Sequence, residues 1–197
     1  MAMVQRQQKK PAAKPRLTAE DWADAALTAI GEGGLAAVAV EPLAVRLGTT
    51  KGSFYWHFAN RDALVEAALG RWAEIHTEKA IQEVEAEPDP RERVRLLFAG
   101  AIGSATSDSL EVALLATASH PQVTEALRRV TERRVAYVGE LFAGLGFPPA
   151  EAARRGLLAY SVYLGHVQLG HAVPSVVPEG DGLGAYLDEA LDALMTR

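Results

Sequence analysis

The chain of 197 residues has no cysteine, which excludes a disulfide framework, thiolate metal ligation and any thiol-based catalysis or redox sensing. A cytoplasmic location fits that composition. Metal-binding patterns are missing too: His76, His120, His166 and His171 include no i,i+4 pair, and no Glu stands in a His-Glu-x-x-His arrangement. There is no Gly-x-Ser-x-Gly elbow, no Walker loop and no strand followed by a Gly-x-Gly-x-x-Gly turn, so an enzymatic reading lacks both nucleophile and cofactor cradle. No metal and no cofactor are expected. Long apolar runs are absent: the most apolar late stretch, residues 156–177, is interrupted by His166, Gln168, His171 and Pro174, and the basic N-terminus has no apolar segment behind it. Neither a membrane span nor an export signal is expected. Strand-like alternation is also lacking, which leaves an all-α fold.

Hydrophobic residues make up 49% of the chain and charged residues 23%, ordinary values for a folded protein that can hold a small domain beside a larger one. The net charge of −5 is unevenly distributed. Residues 1–61 hold 8 Lys+Arg against 5 Asp+Glu, and the remainder 12 against 20. A basic end suited to phosphates is thus joined to an acidic body.

Residues 1–16 are basic and broken by Pro11 and Pro15, so they read as a flexible arm that is a candidate for minor-groove contact. Thr18 is the expected cap of a first helix carrying Trp22, Ala25, Ala26, Ala29 and Ile30 on one face and ending at the glycines 31, 33 and 34. Short helices are expected at 40–47 and 50–57, separated by Gly48, and Asn60 caps a long helix running through Trp72 and His76. Further helices are expected at 91–104, 110–118, 122–145, 149–171 and 182–195, with proline, glycine and polar breakers between them.

The segment 40–58 carries the chemistry. Leu43 and Leu47 form an apolar ridge, Ala44 permits a close helix crossing, and Gly48 suits a tight turn, which is helix-turn-helix spacing. At about 100° per residue, turning Phe54 and Phe58 inward puts Gly52 and Trp56 on the opposite side and Ser53, Tyr55 and His57 on the flanks. A helix with that outward face fits the DNA major groove. Thr50 and Lys51 stand at its start, Gly52 permits close backbone approach, Tyr55 and Trp56 offer rings to bases, and His57 and Arg61 are candidate phosphate clamps.

These residues resemble the tetracycline-repressor (TetR) family of bacterial transcriptional regulators, whose recognition helix commonly reads close to Lys-Gly-Ser-Phe-Tyr-Trp-His-Phe, here 51–58, followed by a polar cap and a long helix, here Asn60-Arg61-Asp62-Ala63-Leu64. The resemblance is specific over Leu47 to Leu64 and covers about the first third of the chain. It implies an all-α homodimer that binds a double-stranded operator and leaves it on binding a small molecule. One departure is Ala39-Val40, where the family usually has a threonine that caps the second helix and touches phosphate. The division expected is an arm at 1–16, a three-helix DNA-binding domain at 17–61, and a helical ligand-binding and dimerisation domain at 62–197.

In that larger domain Trp72, His76, Phe98, Tyr137, Phe142, Tyr160, Tyr163 and His166 are aromatics and histidines set in Leu/Ala/Val-rich helices, the composition of a cavity for a small apolar effector. Arg128, Arg129, Arg133 and Arg134 read as a solvated basic face. A dimer interface is expected along Ala153, Leu157, Tyr160, Leu164 and Val167, with Gly156 and Gly165 permitting close approach, and along Leu183, Leu187, Leu191 and Leu194 of the last helix, as a four-helix bundle. The alternative left open is an all-α protein–protein interaction module that keeps the fold without operator binding.

Overall fold

The computed structural model describes residues 17–105 and 109–196; the basic arm expected at 1–16 lies outside them. The described residues form ten α-helices and no strand. First come α1 (Ala19–Gly33) and two short helices, α2 (Val40–Arg46) and α3 (Lys51–Phe54). Then α4 (Arg61–Ala73) continues through a π-helical segment, Glu74–Lys79, into α5 (Ala80–Glu85). The remainder are α6 (Pro90–Ala105), α7 (Ser109–Ala116), α8 (Pro121–Gly144), α9 (Pro149–Ala172) and α10 (Asp181–Met195).

Local chemistry sets these boundaries. Thr18 Oγ1 accepts from the Asp21 amide at 3.2 Å while Asp21 accepts from the Thr18 amide at 2.6 Å, a reciprocal cap that satisfies two of the first-turn donors. Asn60 caps α4 by accepting from the Ala63 amide at 2.9 Å. Proline begins α6, α8 and α9, where a missing amide costs nothing. The sequence pattern places these helices to within a few residues but gives no hint of the π-helical stretch.

The first core joins Trp22, Ile30, Leu43, Phe54, Leu64 and Trp72, and it does not stop at Arg61: Leu110 and Leu114 of α7 and Val123, Leu127 and Val130 of α8 belong to it. The second core gathers Val94, Phe98, Ile102, Val138, Phe142, Leu191 and Leu194. Several side chains expected at a dimer interface are therefore packed within the protomer. Leu191 and Leu194 are buried in the second core and Leu187 packs half-buried against it. On α9, Tyr160 and Val167 also turn inward, whereas Leu157 and Leu158 remain more than half exposed and Leu164 is half-buried. Helix periodicity finds apolar faces but does not say which neighbour covers them.

Gly156 has a corrected role as well. A Cβ there would stand 2.7 Å from the Gly139 amide nitrogen and 2.8 Å from the Val135 carbonyl oxygen, so its missing side chain lets α9 lie against α8. Gly156→Ala should force the two backbones apart and destabilise the protein by about 1–3 kcal/mol. Gly70→Ala on the exposed side of α4, where a Cβ meets nothing within 4 Å, should stabilise by up to about 1 kcal/mol through helix propensity. Urea unfolding of both variants checks the contrast; equal effects would refute the close-packing role.

Candidate nucleic-acid interface and effector cavity

Gly48, at φ 62°, makes the turn between α2 and α3, and the Thr49 amide donates to the Ala44 carbonyl at 2.9 Å across it. Only residues 51–54 are α-helical, but the His57 and Phe58 amides both donate to the Phe54 carbonyl, carrying the rotation on to Phe58. Phe54 is fully buried, edge-on to Trp22 with ring centroids 5.4 Å apart, and stacks on Phe58 at 5.7 Å. That anchoring turns Tyr55 and Trp56 outward, 58% and 82% exposed. Thr50, Lys51 and Gly52 are exposed beside them, and Ser53 and His57 are half-buried.

Electrostatics qualify this surface. Lys51 Nζ pairs with Glu41 at 2.5 Å, and the shared hydrogen bond raises the lysine pKa and lowers the carboxylate's. The ammonium is therefore charged but already occupied in the free protein. Arg61 departs from its expected role as a phosphate clamp: Nε donates to the Val38 carbonyl at 2.7 Å and Nη2 to the Leu35 carbonyl at 2.6 Å. It ties α4 to the loop before α2, whose cap residue Ala39 supplies no side-chain bond.

A cavity of about 270 Å³ opens between the π-helical segment, α5, α6, α8 and α9. Of the expected lining residues it brings together His76, Phe98, Tyr137, Tyr160 and Tyr163. Three do not line it. Trp72 is wholly buried in the first core, Phe142 is wholly buried edge-on to Phe147, and His166 stacks on Tyr186 at 5.6 Å, where burial lowers its pKa. Tyr137 and Tyr160 are kept neutral, their pKa values raised chiefly by burial.

The polar centre of the cavity is the ion pair of Glu111 and Arg134. Arg134 Nη1 lies 3.0 Å from both carboxylate oxygens; Nε donates to Thr77 Oγ1 at 2.9 Å and Nη2 to the His76 carbonyl at 3.2 Å. Its guanidinium also sits 5.4 Å from the centroid of the Trp72 ring. Arg134 is thus no part of a solvated basic face, although Arg128 and Arg129 are exposed. The signal was present in the sequence: Arg134 falls between Val130 and Val138, on the buried stripe of α8.

Residues 23–68, from within α1 into α4, match the family of bacterial regulatory proteins named tetR. This segment carries the N-terminal domain of the TetR family. Two curated relatives from Pseudomonas putida, the HTH-type transcriptional regulator TtgR and the probable HTH-type transcriptional regulator ArpR, are each 29% identical over 137 residues, 68% of this chain and 65% of theirs. The match thus spans just under two thirds of the length of those relatives. Among solved structures, a transcriptional regulator from Rhodococcus sp. Rha1 superposes with a TM-score of 0.70 at 22% identity, over 91% of this chain and 94% of that one. AibR, solved in complex with isovaleryl coenzyme A and operator DNA, gives a TM-score of 0.63 at 18% identity, over 90% and 97%. These likenesses extend the TetR fold beyond the first third of the chain, through the helices that enclose the cavity.

Among the described residues no group of three His, Asp or Glu side chains is arranged to hold a metal, and no helix is long and apolar enough to cross a membrane. The geometry at Arg61 yields a stability prediction. Arg61→Ala should cost about 1–3 kcal/mol by removing two side-chain hydrogen bonds and leaving the Val38 carbonyl without its donor, whereas Trp56→Ala on the exposed surface should leave the melting temperature nearly unchanged. Thermal unfolding of both checks the assignment.

Proposed function

We propose that this chain is a cytoplasmic transcriptional repressor of the TetR family, a homodimer that binds a palindromic double-stranded operator through α2 and α3 and is released when a small, largely apolar effector enters the cavity. The observation that carries the reading is the exposure of Tyr55 and Trp56 on a turn whose own core aromatics, Phe54 and Phe58, are buried. Large rings held in water beside an exposed lysine and an open glycine form a surface suited to a DNA groove. Thr50, Lys51, Gly52, Ser53, Tyr55, Trp56 and His57 are the proposed contacts; Lys51 exchanges Glu41 for a phosphate on binding. The regulator names of TtgR and ArpR and the operator in the AibR complex support the same reading.

Dimerisation is assigned to the outer face of α9. Leu157, Leu158 and Leu169 are exposed there, and a Cβ at Gly165 would meet nothing within 4 Å. A symmetric pair built on this face would carry two reading heads to successive major grooves, which in dimeric helix-turn-helix proteins lie about 34–36 Å apart.

The switch runs from the cavity to α1 through α7. Glu111 holds Arg134 inside the cavity, and two residues earlier Ser109 Oγ donates to the Gly31 carbonyl of α1 at 2.8 Å. An effector that moves Glu111 moves the helix bonded to α1, and α1 packs directly on Phe54 through Trp22. The second arm is the continuous rod from Arg61 to Glu85, whose π-helical segment lines the cavity.

Selection of bound oligonucleotides from a random pool is expected to return a palindrome. Lys51→Ala should lower affinity and flatten the log–log salt dependence by about one unit, and Tyr55→Ala should weaken binding strongly, both with helicity unchanged. Absence of any selected sequence would favour the interaction-module reading. Ser109→Ala should keep operator and effector binding separately but reduce the effector's effect on operator affinity; unaltered coupling in a DNA titration with and without effector would remove α7 from the switch.

A further inference from the structure

The charge inventory of the cavity sorts ligands by head group, an inference that rests on reading the cavity as the effector site. Its walls are apolar, with Ile81, Val84, Leu97, Phe98 and Ile102 among them. Two acids line it, Glu83 exposed and Glu111 buried, and Arg134 is the one permanent cation among the described lining residues. Every Arg134 nitrogen already donates, Nε to Thr77, Nη1 to both oxygens of Glu111 and Nη2 to the His76 carbonyl, so that of its five N–H groups a single one on Nη2 is left over. Cations just outside are engaged as well: Arg133, over the Tyr137 ring, donates to Glu78 at 3.3 and 3.4 Å, Arg93 donates to the Glu87 carbonyl, and Lys79 lies 3.9 Å from Glu74.

Glu111 stands in the opposite condition. A carboxylate has about four acceptor positions, and both oxygens here receive from the single Nη1 of Arg134. A group only 4% exposed therefore keeps acceptor capacity facing an apolar space. One helical turn along α8, the buried Tyr137 hydroxyl has no hydrogen-bond partner. Buried polar groups in that state favour a ligand that completes them.

We propose that the cavity selects small amphiphiles whose head donates hydrogen bonds and is not anionic, a hydroxyl or an ammonium received by Glu111, and that it rejects carboxylates. An anionic head would face two acids. It could take a two-point hold on Arg134 only by displacing Glu111 from Nη1, leaving a buried carboxylate without its counter-charge. The volume, about 270 Å³, lies just below the usual range for drug-sized ligands and suits a body of one or two rings.

The test is isothermal titration calorimetry of the full chain with four compounds that share one body: biphenyl-4-ylmethanol, biphenyl-4-ylmethanamine, biphenyl-4-carboxylate and its methyl ester. The alcohol and the amine are expected to bind at least about tenfold more tightly than the carboxylate and the ester, a difference of about 1.4 kcal/mol. An amine tighter than the alcohol assigns the preference to charge, and equal affinities assign it to donation alone; both support the rule. An ester as tight as the alcohol, or a carboxylate as tight as either donor, overturns it while leaving the effector site standing. No binding by any of the four to folded protein removes the effector-site reading and the rule with it. In the double variant Glu111→Gln with Arg134→Gln, checked for helicity by circular dichroism, the amine and carboxylate should come within about threefold of each other; undiminished discrimination overturns the role of Glu111. The wild-type series decides the head-group rule whether or not the double variant folds.

Discussion

Burying the Arg134 guanidinium removes hydration worth several kcal/mol, and the surrounding structure is arranged to offset that loss. Burial acts to lower its pKa, yet the charge of Glu111 beside it outweighs burial and raises the value, so the group stays protonated. Its partners come from separate elements: Trp72 on α4, Thr77 and the His76 carbonyl on the π-helical segment, and Glu111 on α7. Removing one partner of such a buried pair costs about 3–5 kcal/mol because the other charge is left uncompensated. The positions of α7, α8 and the long rod are therefore mutually dependent through one side chain.

The π-helical segment stands at the same contact. The His76 carbonyl within it accepts from Arg134 Nη2. Thr77 is likewise drawn toward the guanidinium and is buried although polar. Wider turns of this kind occur where side chains compete for the ladder, and they recur at functional sites. The irregularity stands where the rod leaves the first core and begins to line the cavity.

Local features were legible in the sequence because they depend on neighbours along the chain. Thr18 and Asn60 mark their helices by capping chemistry, and the outward rotation of Tyr55 and Trp56 follows from burying Phe54 and Phe58. What depended on helix crossings was not legible. Phe98 and Phe142 are equally aromatic and equally apolar in setting, yet one lines the cavity and the other fills the core beside it. Arg61 follows the cap like a phosphate ligand, but the fold brings the Leu35 and Val38 carbonyls within its reach from more than twenty residues away. Arg134 sat among other arginines, and composition hid what periodicity would have revealed.

Helix α9 shows how the parts constrain one another. Gly156 seats it on α8, Tyr160, Tyr163 and Val167 face the cavity, and Leu157, Leu158 and Leu169 face away. A close-packed helix is stiff, so a ligand pressing on Tyr160 or Tyr163 cannot be absorbed by that side chain alone. Displacement toward α8 is blocked at Gly156, where the backbones already touch. The remaining direction is outward, toward the leucine face assigned to the second protomer. In the proposed repressor, filling the cavity would therefore act along two routes, through Glu111 and α7 on the reading head of its own protomer and through α9 on the separation of the two heads.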